Sequence, residues 1–432
     1  MPQAMPESLA AIASCLAGYD PNALPSETAR EFIARLVPRV EAVEMLALRS
    51  ALGRTLARDI VSAIDVPSHD NSAMDGYALR GLDLAHDGAT TLRLAGTGYA
   101  GAAFGGTPAP GECVRIMTGA VMPDGLDTVL PQEFASLAGA TVTLPSGVLR
   151  SGDNRRLAGE DLARGEVALR VGRVLRPADL GLLASLGQAE VPVRRRLRVA
   201  FFSTGNELRS IGETLDEGCV YDSNRYTLWA MLQRLGVDGL DLGVVRDDPA
   251  ALEATFRAAA ASADAVITSG GVSVGEADHT KAVMAALGEV LFWRIAMRPG
   301  RPMAIGRIAQ GDGPGAILFG LPGNPVAVMV TFYALVRDAL LAMGGATPQP
   351  LPLLRATSVE GIRKKAGRTE YQRGVVARAN GRGDWQVRIT GSQGSGILRS
   401  MSEANGLVVL HHDQGNVAPG EMVDVLPFDG LI

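Results

Sequence analysis

A glycine-rich turn after a buried apolar run is the strongest indication of chemistry in this chain. Residues 267–281 read ITSGGVSVGEADHTK. Glycines let backbone N–H groups converge on an anion, and serine hydroxyls can add further donors. The turn lacks the GxxxxGK[ST] spacing of a Walker A loop, so a different kind of anion site is expected. The residues expected to bind the ligand are Ser269, Gly270, Gly271, Ser273 and Gly275.

A carboxylate and an ammonium follow this turn at the start of a predicted helix. Asp278 could hold Mg²⁺ while Lys281 meets a phosphate. Lys281 is the only lysine in the first 363 residues of a chain that otherwise uses Arg, which favours a need for a compact ammonium over chance. The alternative for the whole segment is an ordinary strand-to-helix turn with a capping Asp.

Two further polar segments follow predicted strands. Residues 202–208 read FSTGNEL, and residues 319–325 read FGLPGNP and open a predicted helix. Ligands of open α/β sheets bind outside the carboxyl ends of the strands, so these loops predict one pocket with the glycine turn. A purely structural helix start is the alternative for the second loop, whose expected binding residues are Pro322, Gly323, Asn324 and Pro325.

Three acidic residues follow three different predicted strands. Glu207, Asp247 and Asp278 could therefore converge. Hard oxygen ligands from several loops, completed by a substrate phosphate, are typical of a Mg²⁺ site. A solvated surface position is the alternative for each residue taken alone.

A cluster of arginines occurs around the end of a predicted strand. Arg298 and Arg301 belong to the run 297–302 (MRPGRP) between two strands, and Arg294 precedes it; the guanidinium fork suits oxyanions such as phosphate or molybdate. A charged surface turn is the alternative.

Residue types alone assign no role to three further polar stretches, which are 70–77 (DNSAMDGY), 115–120 (RIMTGA) and 391–396 (GSQGSG). The last could be an anion loop or a flexible linker.

The elements that must position these residues change character along the chain. Helices are predicted over 26–58, including one over 42–57, and β-like runs separated by Gly and Pro follow. From 195 to 345 strands alternate with helices, which predicts a three-layer α/β domain with a mostly parallel sheet. We expect a discontinuous mixed domain (1–58 and 151–193), a β-rich domain (59–150), the α/β domain (194–346) and a small C-terminal β-barrel or sandwich (347–432).

The net charge, the cysteine count and the length of the apolar runs argue against several classes of function. A chain of 432 residues with a formal net charge of −5 does not favour nucleic-acid binding. Three scattered cysteines and the absence of CxxC and HExxH motifs argue against a disulfide framework and a zinc site. The longest apolar run, 326–336, is too short for a membrane span, and the N-terminus does not resemble a signal peptide. We expect a cytoplasmic protein.

The motifs together resemble the MoeA family of molybdopterin molybdenumtransferases, which is related to the E domain of gephyrin. The matching runs keep the family order from about residue 60 to 405; beyond those quoted above they are 159–161 (GED), 220–225 (VYDSNR) and 246–249 (RDDP). The resemblance implies Mg²⁺-dependent insertion of molybdate into adenylylated molybdopterin with release of AMP, the last step of molybdenum cofactor biosynthesis. A non-catalytic molybdopterin-binding or scaffolding protein is the alternative.

The resemblance also implies an assembly and further site residues. It implies an elongated homodimer, joined in part by the discontinuous mixed domain, with the active site between subunits. Adenylation would be the task of a separate molybdopterin adenylyltransferase. His69 and Asn206 depart from the usual pattern, and Arg replaces the commoner Lys at 294 and 298. The residues implied at the site are Asp70, Thr118, Asp161, Glu207, Asp247, Asp278, Arg294, Arg298, Pro322, Pro325 and either Ser392 or Ser395.

Overall fold

The computed structural model describes residues 8–20, 22–272, 279–310 and 313–429. The predicted ligand-binding Ser273 and Gly275 and the predicted metal ligand Asp278 lie outside these ranges. The chain divides into two compact units, one formed by 1–44, 53–57 and 193–432, the other by 45–52 and 58–192. The predicted domain boundaries stay predictions.

The N-terminal segment begins with two helices and a strand. Ser8 caps the first helix by accepting the Ala11 N–H at 3.2 Å. The second presents Ala29, Phe32 and Ile33 to the core of the larger unit. The bounds are α1 (Leu9–Cys15), α2 (Ser26–Leu36) and β1 (Val43–Ala47).

The predicted helix over 42–57 is wrong. Val43–Ala47 is a strand whose residues alternate between exposed and half-buried, and a short 3-10 turn, Leu48–Ala51, follows it. Leu, Met and Ala have good helix propensity, but propensity is a weak local preference that tertiary pairing overrides. Gly53, at φ +73°, then turns the chain.

The smaller unit is β-rich, as predicted. The elements of 58–194 are β2 (Ile60–Val61), β3 (Asn71–Ser72), β4 (Gly76–Leu79), β5 (Thr90–Gly98), β6 (Glu112–Ile116), β7 (Thr128–Pro131), β8 (Ser136–Ala138), β9 (Thr141–Leu144), β10 (Arg155–Arg156), β11 (Val167–Leu169), α3 (Pro177–Ser185) and β12 (Glu190–Arg194). Six of these strands form one sheet in the order β7-β4-β6-β5-β9-β8, and apolar clusters cover both of its faces.

The α/β part of the larger unit contains the predicted alternation of strands and helices. Its elements are β13 (Arg198–Thr204), β14 (Leu208–Arg209), β15 (Val220–Tyr221), α4 (Asn224–Arg234), β16 (Asp238–Val245), α5 (Pro249–Ser262), β17 (Ala265–Ser269), α6 (His279–Leu287), β18 (Gly288–Arg294), β19 (Met297–Arg298), β20 (Pro302–Gln310), β21 (Gly313–Leu321), α7 (Pro325–Thr331) and α8 (Arg337–Met343).

The central sheet has the order β16-β13-β17-β21-β20-β18. Its first three pairings are parallel and its last two are antiparallel, which confirms a mostly parallel sheet. Successive residues of β13 point into opposite apolar cores. Phe201 lies in the cluster that contains residues of α4 and α7, and Phe202 lies in the cluster that contains residues of α5 and α6. The three-layer prediction is confirmed.

One helical run in this part of the structure could cross a membrane by length and composition. It spans Pro325–Met343 and is mostly buried within the protein. Its buried side chains belong to the same apolar core as Phe201 and Phe319, so it serves as a core helix of the α/β layer.

The C-terminal segment is a closed five-stranded barrel, which confirms the predicted small barrel. Its elements are β22 (Leu354–Ser358), β23 (Thr369–Arg378), β24 (Trp385–Ile389), α9 (Arg399–Glu403), β25 (Gly406–Leu410) and β26 (Met422–Pro427). The strands follow one another in the order β23-β24-β22-β26-β25, and β25 pairs again with β23. Closure leaves no free sheet edge among these five strands.

Candidate functional site

A cavity of about 1070 Å³ lies along the carboxyl edge of the central sheet. The loops after β16, β13, β17 and β21 line it, together with the segment before β20 and the barrel loop 393–396. The predicted site residues that line it are Glu207, Asp247, Ser269, Gly270, Gly271, Arg298, Pro322, Gly323, Asn324, Pro325 and Ser395.

The glycine turn after β17 can only be built from glycine. Gly270 has φ +91° and Gly271 has φ +68°, both in the left-handed region. A Cβ on Gly270 would lie 2.6 Å from the Thr204 carbonyl oxygen, and one on Gly271 would lie 2.5 Å from Thr280 Cγ2. The turn therefore packs its backbone directly against β13 and α6, at the floor of the cavity.

A buried polar network fixes the ends of the strands beneath the cavity. Ser203 donates to Asp222 Oδ1 at 3.0 Å, and its hydroxyl lies 2.9 Å from that of Ser269. Asn224 donates through Nδ2 to the Gly323 carbonyl oxygen at 2.7 Å. Asp222 also accepts the Asn224 backbone N–H, so one carboxylate ties β13 to the start of α4.

Asp222 and Asn224 are site residues that were not predicted from the sequence. Both line the cavity and both are buried. Their run, 220–225, was noted only as part of a resemblance. The signal was present, because an acidic residue two positions before an amide at a predicted helix start is a frequent way of holding a loop.

Two of the three predicted metal ligands line one end of the cavity. The carboxylate of Glu207 folds back over Gly205, where a Cβ would lie 2.6 Å from Oε2. Asn206 Oδ1 accepts the Asp247 backbone N–H at 3.2 Å, so the loops after β13 and β16 are joined. The Asn206 side chain thus supplies a loop contact through an oxygen that a carboxylate would also offer.

The donor chemistry at this end fits a hard divalent cation. Carboxylate oxygens are the protein ligands that Mg²⁺ prefers, and it usually keeps several waters and substrate oxygens. Within 8–20, 22–272, 279–310 and 313–429, no group of three His, Cys, Asp or Glu residues is close enough to hold a metal. Glu207 and Asp247 could hold the cation only together with substrate oxygens or with residues outside these ranges.

The barrel loop 391–396 meets the start of α7 at the other end of the cavity. Asn324 Nδ2 donates to Ser395 Oγ at 2.9 Å, and the Val326 N–H donates to the Ser395 carbonyl oxygen at 3.1 Å. Of the two serines that the sequence left open, Ser395 lines the cavity. Ser392 is exposed and is absent from the lining residues that the structure describes.

A buried arginine holds this loop from inside the barrel. Arg373 is 1% exposed and donates to the carbonyl oxygens of Ser392 and Gly394 at 3.3 and 2.9 Å and to Ser400 Oγ at 3.0 Å. Burial, reinforced by the charge of Arg298, lowers the pKa of Arg373 to about 10. The guanidinium stays charged at neutral pH and adds positive charge behind the loop.

The three predicted oxyanion-binding arginines do not share one position. Arg298 lines the cavity. Arg294 donates to Asn22 Oδ1 and Arg301 donates to the Asn22 carbonyl oxygen, each at 3.0 Å, so both are held towards the N-terminal segment. Lys281 lies on α6 with its ammonium 5.9 Å from the centre of the Phe292 ring and is absent from the described lining.

The remaining predicted site residues lie in the smaller unit, where three motifs meet around 66–72. Asp70 accepts the Ala158 N–H at 2.8 Å, and the Asp161 N–H donates to the Val66 carbonyl oxygen. Thr118 donates its N–H and its hydroxyl to Asp75, both at 2.7 Å. These two bonds lower the pKa of the Asp75 carboxyl below its usual value.

Fold and site together define a multidomain α/β protein with a polar cavity at the edge of its central sheet. Comparison with known families gives three matches in the chain. Residues 24–187 match the MoeA N-terminal region (domain I and II), residues 200–342 a probable molybdopterin binding domain, and residues 355–428 the MoeA C-terminal region (domain IV). The chain belongs to the MoeA family of molybdopterin molybdenumtransferases.

Relatives match over nearly the whole chain. A molybdopterin molybdenumtransferase of Haemophilus influenzae is 42% identical over 95% of this chain and 100% of its own length. Gephyrin of Dictyostelium discoideum is 31% identical over 89% of this chain and 59% of its own length. The crystal structure of a molybdopterin biosynthesis MoeA protein from Pyrococcus horikoshii covers 94% of this chain and all of that chain, with 28% identity and a TM-score of 0.79.

Proposed function

We propose that this chain catalyses the Mg²⁺-dependent insertion of molybdate into adenylylated molybdopterin with release of AMP, the last step of molybdenum cofactor biosynthesis. One observation supports this most strongly. Two carboxylates, a glycine turn, and an arginine with a serine line a single cavity along one sheet edge. The substrate has a diphosphate at its middle. Its reaction with molybdate therefore needs a site for Mg²⁺, a site for the diphosphate and a site for molybdate in such a row.

The glycine turn and the acidic residues act on the diphosphate. Cleavage of a P–O–P bond requires that charge on the non-bridging oxygens be neutralised in the transition state. The Gly270 N–H donates to the Leu321 carbonyl oxygen, so we assign the binding of those oxygens to the Gly271 N–H, while Glu207 and Asp247 would hold Mg²⁺. When bound, Mg²⁺ supplies electrostatic stabilisation of the developing charge.

The other end of the cavity suits molybdate as the second substrate. Molybdate is a tetrahedral dianion, and guanidinium and hydroxyl donors match its oxygens. Arg298 and Ser395 line this end, and Arg373 holds the loop that carries Ser395. We propose that water or a molybdate oxygen attacks the pterin-side phosphorus and that AMP leaves with the electrons of the broken P–O bond. An attacking water gives its proton to solvent, and a phosphate–molybdate adduct is hydrolysed by water in a second step.

Assembly and partners belong to the same proposal. We assign Asp70, Thr118 and Asp161 to the site through a homodimer in which a second copy contributes them. A separate molybdopterin adenylyltransferase would supply the adenylylated substrate. Cytoplasmic localisation is part of the proposal, because the similar protein of Pyrococcus horikoshii is a molybdopterin biosynthesis protein.

The test is AMP release by the purified protein from adenylylated molybdopterin. Release that depends on both molybdate and Mg²⁺ supports the proposal. Tight binding of molybdopterin without AMP release would favour the scaffolding alternative, and turnover of ATP without molybdopterin would indicate a general nucleotide hydrolase.

A further inference from the structure

Asn224 joins two of the loops that line the cavity. It is the first residue of α4, is 7% exposed and lines the cavity. Its side-chain Nδ2 donates to the Gly323 carbonyl oxygen at 2.7 Å and to Ser269 Oγ at 3.4 Å. A carbonyl oxygen is an acceptor, so the amide turns its nitrogen towards Gly323. One side chain therefore links the loop after β17 to the loop after β21.

The two linked loops serve different ends of the proposed reaction. Ser269 directly precedes the glycine turn, to which the diphosphate is assigned. Gly323 directly precedes Asn324, which donates to Ser395 Oγ at 2.9 Å at the oxyanion end of the cavity. The amide of Asn224 thus connects the part of the cavity assigned to the diphosphate with the part assigned to molybdate.

Further hydrogen bonds hold Asn224 and the two loops at the sheet. Asp222 Oδ1 accepts the Asn224 backbone N–H at 3.1 Å, and the same carboxylate is tied to β13. The Gly270 N–H donates to the Leu321 carbonyl oxygen at 3.1 Å, at the point where β17 and β21 end. Gly323 lies two residues beyond Leu321, so Asn224 restrains the second loop beyond the point to which the sheet itself holds it.

The Asn224 amide uses one of its two polar ends. Its Oδ1 is buried and has no hydrogen-bond partner within the part of the chain that the structure describes. Asn405, in the barrel, uses both ends, because its Oδ1 accepts the Val376 N–H at 2.7 Å and its Nδ2 donates to the Val376 carbonyl oxygen at 2.9 Å. A buried oxygen without a donor lowers stability. We therefore expect Asn224 to contribute less to stability than Asn405.

We propose that Asn224 is a positioning residue that sets the distance between the bound diphosphate and the bound molybdate. This rests on the proposed function. The rate of reaction between two bound groups depends steeply on their alignment, and a displacement of about 1 Å can lower it about 100-fold. Without the Asn224 amide, each end of the cavity keeps its own binding groups, but the loop of Gly323 is no longer fixed relative to the glycine turn. Each anion alone still binds, and the reaction between them is slowed.

The first test compares Asn224→Ala with the unmodified full-length protein in AMP release from adenylylated molybdopterin with molybdate and Mg²⁺. We expect kcat to fall about 10- to 100-fold. The KM for molybdate should stay within about twofold, and the midpoint of thermal unfolding should stay within about 2 °C. Asn405→Ala is the matched control, because Asn405 is absent from the described lining. It should lower the unfolding midpoint by about 2–4 °C and leave kcat unchanged.

The second test measures binding by calorimetry with Mg²⁺ and does not depend on turnover. Inorganic pyrophosphate probes the glycine turn alone, and molybdate probes the oxyanion end alone. Adenylylated molybdopterin, added without molybdate, spans both. Asn224→Ala should bind each small anion as the unmodified protein does and should bind the spanning substrate roughly 5- to 10-fold more weakly, because the two ends are no longer held at one distance.

Three results would overturn the inference: a kcat of Asn224→Ala equal to that of the unmodified protein, an equal loss of kcat in Asn405→Ala, or equal weakening for pyrophosphate and for the spanning substrate. Asn224→Leu, which keeps the side-chain volume and removes the donor, gives the same comparisons if Asn224→Ala does not fold. An unmodified protein that releases no AMP would contradict the proposed function, and the binding comparison would then decide the role of Asn224.

Discussion

Asn324 and Ser395, 71 residues apart in the chain, are joined by a 2.9 Å hydrogen bond from the amide nitrogen to the serine oxygen. The first begins the helix after β21 and the second lies in a loop of the C-terminal barrel. The contact brings a barrel loop to the edge of the central sheet, where it closes the oxyanion end of the cavity.

Replacing each of the two serines of the barrel loop in turn should show which one contributes to molybdate binding. Ser395→Ala removes a hydroxyl that lines the cavity and with it the hydrogen-bond acceptor of Asn324. We expect the binding free energy of molybdate to weaken by about 1 kcal/mol, which corresponds to a several-fold rise in KM for molybdate. Ser392→Ala is the matched control and should leave KM unchanged. A larger effect at Ser392 would contradict the assignment of Ser395 to the site.

Steric crowding at the glycine turn predicts a large effect of one added methyl group. Gly270→Ala places a Cβ against the Thr204 carbonyl oxygen and also strains a residue at φ +91°. We expect a loss of stability of about 3 kcal/mol and at least roughly tenfold weaker binding of molybdopterin. Gly218→Ala, at φ +79° with open space around it, should show only the backbone strain of about 1 kcal/mol. Thermal unfolding and ligand titration compare the two, and equal losses would argue against close packing at Gly270.

Removal of the Glu207 charge should reduce the Mg²⁺-dependent rate. Glu207→Gln keeps the shape of the side chain over Gly205 but weakens a cation site, and we expect AMP release to fall about 100-fold. Raising the Mg²⁺ concentration should recover part of the rate. Glu217→Gln, at an exposed position between β14 and β15 and absent from the described lining, should keep the full rate. A Mg²⁺ dependence unchanged in Glu207→Gln would exclude the metal role.

The pair of Thr118 and Asp75 predicts a pH effect in the smaller unit. The hydrogen bonds from Thr118 lower the pKa of Asp75, so they contribute stability above the usual carboxyl pKa that is lost as the pH falls through the lowered value. Thr118→Val removes the hydroxyl donor and keeps the N–H donor. The Asp75 pKa, followed by NMR titration, should rise partway towards its usual value, and the stability difference from the unmodified protein should shrink in acid. Thr141→Val, on exposed strand surface, is the control, and an unchanged Asp75 pKa would contradict this account.

Local patterns predicted the architecture wherever periodicity is the main determinant. The alternation of strands and helices gave the three-layer domain, and the edge rule for parallel sheets placed Glu207, Asp247 and the glycine turn in one cavity. The helix predicted over 42–57 was wrong because a Leu- and Met-containing run satisfies both a helix and a half-buried strand.

Contacts between distant residues could not be predicted in the same way. Arg294, Arg298 and Arg301 are alike in type and close in sequence, yet only Arg298 lines the cavity, because Asn22 engages the other two. The network of Ser203, Asp222 and Ser269 likewise depends on how β13 and β17 pair, and single residue types do not encode that pairing.

The proposed transferase activity is tested most directly by measuring AMP formed from adenylylated molybdopterin with and without molybdate and Mg²⁺. The account predicts that the purified protein releases AMP only when both are present and that molybdenum becomes bound to the pterin product in equal amount. Release of AMP without incorporated molybdenum, or binding of the substrate with no AMP in the complete mixture, would contradict it.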